Sequence, residues 1–133
     1  MLFRSKPKKV LAAVTRRLKA LCPPTVRITV TGGHGGEPYL VSPTGPLAQA
    51  ALKALKAGFG YEPVIMREGG SIPIVSNFKR ELGVETYLLG MGLPDDNAHS
   101  PNEKFDLDAY AGGMRMAAYL WPEMSKAITD TDP

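Results

Sequence analysis

The residues best suited to chemistry run from Gly90 to Lys104, in the order Gly-Met-Gly-Leu-Pro-Asp-Asp-Asn-Ala-His-Ser-Pro-Asn-Glu-Lys. Two acids, an imidazole and an Asn-Glu pair sit among glycine and proline breakers, directly after an apolar run. A scaffold can hold such a loop while its polar side chains stay free to act, and catalytic and metal-binding groups concentrate in stretches of this kind. The imidazole of His99 can donate a lone pair to zinc, which generally draws three or more protein ligands. His99 is the one convincing donor here. Asp95 and Asp96 can ligate, orient His99 or satisfy loop N–H groups, and their spacing does not choose among these roles.

A second polar stretch, Arg67-Glu68-Gly69-Gly70-Ser71, also follows a strand-like run. Gly69 and Gly70 let the main chain approach a ligand closely, and the N–H groups that open the following helix can hold a carboxylate. The same residues equally make a tight turn with Ser71 as a helix cap. His34, inside the breaker cluster Gly32 to Pro38, has no neighbour to fix its orientation and is read as structural. That cluster is no phosphate loop, because it lacks the lysine, the glycine spacing and the strand-to-helix setting such loops need.

The elements that must position these residues follow from periodicity. Val10, Leu11, Val14, Leu18 and Leu21 recur at helical spacing over residues 8–21, with Pro7 in the first turn and Pro23-Pro24 as the stop. Val26 to Thr31 alternates like a strand, which needs partners beyond itself. Gly45-Pro46 opens an alanine-rich helix with Leu47, Ala51 and Leu55 on one face, ended by Gly58 and Gly60. Val64 to Met66 reads as a short strand. A helix from Ile72 to Leu82, stopped by Gly83, should bury Ile74, Val75, Phe78 and Leu82. Thr86 to Met91 reads as a strand covered on both sides. Asp106 should cap a last helix carrying Leu107, Tyr110, Met114, Ala117 and Trp121, weakened at Gly112-Gly113 and followed by a polar tail from Ser125. The order after residue 38 predicts an α/β fold with ligands at the carboxyl ends of the strands, both polar stretches lining one crevice.

With 133 residues, 44% apolar and 22% charged, the composition is that of an ordinary globular protein. No run approaches the roughly 18 apolar residues of a membrane span, and the start lacks a signal-peptide core, so a cytoplasmic protein without membrane association is expected. Cys22, the single cysteine, excludes an internal disulfide framework and reads as a packed thiol. Residues 1–36 hold eight bases and no acid, a charge of +8, whereas the remainder sets eight bases against thirteen acids, −5, for the total of +3. Basic helices can bind nucleic acid through phosphates, but the interleaved aromatics and base-reading side chains of a known module are missing, so no nucleic-acid partner is expected.

Arg67-Glu-Gly-Gly-Ser-Ile-Pro-Ile74 followed some thirty residues on by His99-Ser-Pro-Asn-Glu-Lys104 resembles the C-terminal part of the dizinc metallopeptidases that include carnosinase-type dipeptidases, carboxypeptidases and acetylornithine deacetylase. Phe3-Arg4-Ser5-Lys6-Pro7 is similar to the Arg-x-x-Pro segment of that family's lid domain, with Ser5-Lys6 a less usual filling. The resemblance implies that His99 binds one of two zinc ions, that Arg4 grips the terminal carboxylate of a dipeptide or N-acyl amino acid substrate, and that Gly69, Gly70 and Ser71 border that substrate. It implies a brace role for Glu103 in the loop. In such enzymes a zinc-bridging water, deprotonated by a glutamate, attacks the amide carbonyl. The lid usually also forms a homodimer.

The other zinc ligands and the general-base glutamate of that family have no counterpart in these residues. The expectation is therefore the end of an α+β lid and dimerisation domain over residues 1–38 and the C-terminal portion of an α/β catalytic domain over 39–133. Such a chain is inactive alone and partnered by a missing N-terminal catalytic segment. The competing expectation is a non-catalytic binding or assembly module that keeps the peptidase fold.

Overall fold

A computed structural model describes residues 5–33, 35–67 and 72–129. Its regular structure is four helices: α1 (Pro7–Leu21), α2 (Pro46–Phe59), α3 (Pro73–Leu82) and α4 (Leu107–Thr129). Among the described residues none is in a β-strand. This corrects the expected α/β class, since the described chain is all-helical and holds no sheet. The reason is physical. Apolar alternation at 26–31 and apolar runs at 64–66 and 86–91 state a demand for burial, whereas a strand exists only when a second strand completes its hydrogen-bond ladder. Here those segments are irregular, and Val26, Val64, Ile65, Met66 and Leu88 stay exposed.

The chain divides into two compact units, one of residues 1–41 with 68–86, the other of 42–67 with 87–133. In the first, α1 begins at Pro7, whose missing N–H costs nothing at a helix start. None of its residues is buried, and Val10, Leu11, Val14, Leu18 and Leu21 are all exposed. Leu11 lies against Gly32, where a Cβ would come within 2.6 Å of its Cδ2. After α1, the Cys22 thiol donates to the Val26 carbonyl at 3.1 Å. Gly36 lies against Pro73 at the start of α3, and the Thr86 N–H donates to the Tyr39 hydroxyl at 2.8 Å. Of the four residues expected to be buried on α3, only Val75 is. Gly83, in the left-handed region at φ 70°, ends the helix as its residue type allows.

In the second unit α2 packs on α4, the only helix pair in contact among the described residues. The packed face of α2 is Ala48, Ala50, Ala51, Ala54 and Gly58, and that of α4 is Ala109, Gly112, Gly113 and Met116. Small side chains bring the backbones close. A Cβ on Gly58 would stand 2.6 Å from the Met116 backbone nitrogen, and one on Gly112 would stand 2.5 Å from the Phe59 ring. The large apolar residues Leu107, Tyr110, Met114 and Trp121 of α4 face outward, a correction to the face expected from periodicity. Asp106 caps α4 as expected, its Oδ1 accepting the N–H groups of Asp108 at 2.9 Å and Ala109 at 3.0 Å. The helix runs through Gly112-Gly113, through Pro122 and four residues past Ser125, so the start of the polar tail is helical.

Candidate functional site

The loop between Met91 and α4 belongs to the second unit and begins where Met91 lies against Gly113, its sulfur filling space that any larger residue would occupy. From there the loop folds back on itself. The Asp96 N–H donates to the Leu93 carbonyl at 3.1 Å, while the Leu93 N–H donates to Asp96 Oδ2 at 2.7 Å. The Ser100 N–H reaches the Asn97 carbonyl at 2.9 Å, and the Lys104 N–H reaches the Asp96 carbonyl at 3.0 Å. The ends of the loop are thereby tied through one residue.

Its electrostatics centre on Lys104, whose ammonium lies 2.8 Å from Asp95 Oδ2 and 3.7 Å from Asp96 Oδ1. The hydrogen bond from Lys104 holds the Asp95 carboxyl below the usual carboxylate range, and the same bond raises the Lys104 ammonium. Asp95 is exposed, so this pair is screened by water and contributes little by itself. Asp96 is different: it is 7% exposed, the one buried polar residue among those described, and its Oδ1 has no hydrogen-bond partner there.

His99 is exposed and sits in the left-handed region at φ 64°, between Asn97 at 54° and Asn102 at 60°. Few non-glycine residues enter that region, and asparagine and histidine are enriched among those that do. Asp95 and Asp96 therefore stand in the roles of pairing Lys104 and satisfying loop N–H groups. The loop is closed by Asp96 and Lys104, and Glu103, expected to brace it, is exposed. Burial of Asp96 was not anticipated from sequence, because it depends on where the loop turns back.

Of the other expected site residues, Arg4, Gly69, Gly70 and Ser71 lie outside the described residues, as does His34. A metal centre needs about three or four protein donors held together, and among the described residues no group of three His, Cys, Asp or Glu side chains is placed to hold an ion. The described residues therefore do not by themselves assemble a metal centre. No helix among the described residues is long and apolar enough to cross a membrane.

Residues 4–123 match the model of Peptidase family M20/M25/M40. The chain is 47% identical over 88 residues to the Cys-Gly metallodipeptidase DUG1 of Saccharomyces cerevisiae, covering 65% of this chain and 18% of that one. It is 39% identical over 112 residues to the Cys-Gly metallodipeptidase of Candida albicans, covering 84% and 23%. With the human Beta-Ala-His dipeptidase it shares 32% identity over 100 residues, covering 75% and 20%. The solved structure of the di-peptidase Dug1p from Saccharomyces cerevisiae is similar with a TM-score of 0.65 at 41% identity, over 68% of this chain and 19% of that chain. The chain thus spans about a fifth of the length of the curated relatives it matches.

Proposed function

This chain belongs to Peptidase family M20/M25/M40, and on that premise we propose that it supplies part of a metallodipeptidase site. His99 gives one ligand to a metal, zinc by the motif it shares with that family, and the remaining ligands come from polypeptide not included in these 133 residues. Arg4 and the turn at Gly69, Gly70 and Ser71 contact the carboxylate end of a dipeptide or N-acyl amino acid. Residues 1–38 form the end of a lid through which two copies associate, and residues 39–133 close the catalytic domain. The observation that carries this reading is an exposed imidazole held on a left-handed residue in a closed loop, in a chain whose relatives bear the name metallodipeptidase.

A second reading, a binding or assembly module without catalysis, is favoured by one observation: no ligand group of three is assembled among the described residues. The two separate in a complementation assay. The chain is produced with a polypeptide carrying the family's remaining acids and histidine, and hydrolysis of Cys-Gly and of β-alanyl-histidine is measured with and without zinc. Zinc-dependent hydrolysis that His99→Ala abolishes supports the peptidase reading. A stable complex that neither hydrolyses the dipeptides nor takes up zinc supports the module.

A further inference from the structure

The Leu93–Lys104 loop spends its one buried position on a charge. Gly92 to Asp95 and Asn97 to Phe105 are all exposed, and Asp96 alone among them is buried. A buried carboxylate with an oxygen lacking a hydrogen bond is unfavourable unless it secures something else. What it secures is closure at both ends: Oδ2 holds the Leu93 N–H at 2.7 Å, the backbone carbonyl holds the Lys104 N–H at 3.0 Å, and Oδ1 faces the Lys104 ammonium at 3.7 Å. Between these ties lie all three left-handed non-glycine residues of the described chain, Asn97, His99 and Asn102. Released from its ties, a histidine at φ 64° relaxes to the right-handed or extended regions, and its side chain then leaves the backbone in a different direction.

We propose that Asp96 is a positioning residue for His99, fixing the backbone of the loop so that the imidazole meets its metal already oriented. This rests on the reading of His99 as a metal ligand. It assigns to Asp96 the work that outer residues do elsewhere, where a ligand's direction is set by groups that do not touch the ion. Lys104 is the second member of the device, since it is tied to Asp96 by both its backbone and its side chain.

The test uses the whole chain and reads order at His99 directly by NMR relaxation, in a His34→Gln background where His99 is the single imidazole. The wild-type loop should show the rigid-backbone order parameter of about 0.85 at His99, and Asp96→Ala should lower it below about 0.6, with similar loosening of the ring. Asp96→Asn, which keeps an acceptor for the Leu93 N–H, should recover most of the order, and Asp95→Ala should change it little. Circular dichroism follows the helices in parallel. Loss of order at His99 with helix melting unchanged supports the proposal, because a residue that merely stabilised the fold would move the melt and not the ring. Unchanged order in both Asp96 variants, or a wild-type His99 already mobile, overturns it. If Asp96→Ala does not fold, Asp96→Val, which fills the buried space without offering an acceptor to the Leu93 N–H, takes its place: lowered order at His99 supports the proposal and unchanged order overturns it. None of these readouts involves metal, so their failure sinks the positioning role alone, whereas failure of His99→Ala to matter in the complemented enzyme sinks the ligand reading.

Discussion

Gly58→Ala should destabilise the second unit although alanine is the better helix former. An added Cβ would stand 2.6 Å from the Cβ and backbone nitrogen of Met116 and 2.7 Å from its Cα. Comfortable carbon contacts lie at about 3.5–4.0 Å, so the overlap is about 1 Å and falls mostly on backbone, which no rotamer change relieves. The helices must separate along the face formed by Ala50, Ala51, Ala54 and Ala109. Overpacking of this kind costs about 1–3 kcal/mol, and the rigid target places Gly58 near the upper end. The gain in helix propensity returns about 1 kcal/mol, leaving a net loss of about 2 kcal/mol. For a unit of roughly 70 residues that lowers Tm by about 8–16 °C. Gly113→Ala is the matched control in α4. There the added carbon meets the side chain of Met91 and no backbone, so a rotation of the methionine clears it, and the propensity gain should hold Tm within about 4 °C of wild type. Thermal melts followed by far-ultraviolet circular dichroism measure both. Equal shifts for the two variants, or a Gly58→Ala protein melting at or above wild type, would refute the close helix approach.

Asp106→Ala removes the acceptor for two N–H groups at the start of α4 and should cost about 1 kcal/mol, read as a lower urea midpoint of the second unit. Acidification should loosen the Asp95–Lys104 tie. The Asp95 carboxyl is lowered by its bond to Lys104, so the stabilisation is present above the unfolded value near pH 3.9 and is lost as pH falls through the lower folded value. At the basic end Lys104 is raised, so the same tie persists below the unfolded lysine value and is lost as pH rises through the higher folded one. Carbon-detected NMR titration of Asp95 should show the depressed midpoint, and Lys104→Met should raise it toward the usual range, the backbone hydrogen bond keeping part of the lowering. The uncovered apolar stripe of α1 should make the chain associate as concentration rises. Val14→Gln with Leu18→Gln should reduce that association in sedimentation measurements while changing the melt of the second unit by less than about 0.5 kcal/mol.

Helix ends were legible because each has a local chemical cause. Pro7 and Pro46 open helices, Gly60 at φ 83° and Gly83 at φ 70° close them, and Asp106 caps the last. Strands were not legible, because a pattern such as Val26 to Thr31 describes one side of a contact whose other side must be supplied by another segment. The buried face of α4 was missed for a related reason. Periodicity weights large side chains such as Tyr110 and Trp121, whereas this interface is made by Ala109, Gly112 and Gly113, whose smallness is the attraction. At the candidate site the loop itself could be found from composition and breakers, and His99 lies exposed within it. Burial of Asp96 could not, because it depends on where the loop turns back.

The buried residues of the contact between α2 and α4 are alanines, glycines and one methionine, with the half-buried Phe59 ring beside Gly112 and no large side chain fully enclosed anywhere among the described residues. Little hydrocarbon is therefore hydrated when the second unit melts, and hydration of hydrocarbon is what gives unfolding its positive heat capacity. Its stability should vary shallowly with temperature, its response to urea should be weak for its size, and its fading on cooling should begin from a low maximum and proceed slowly.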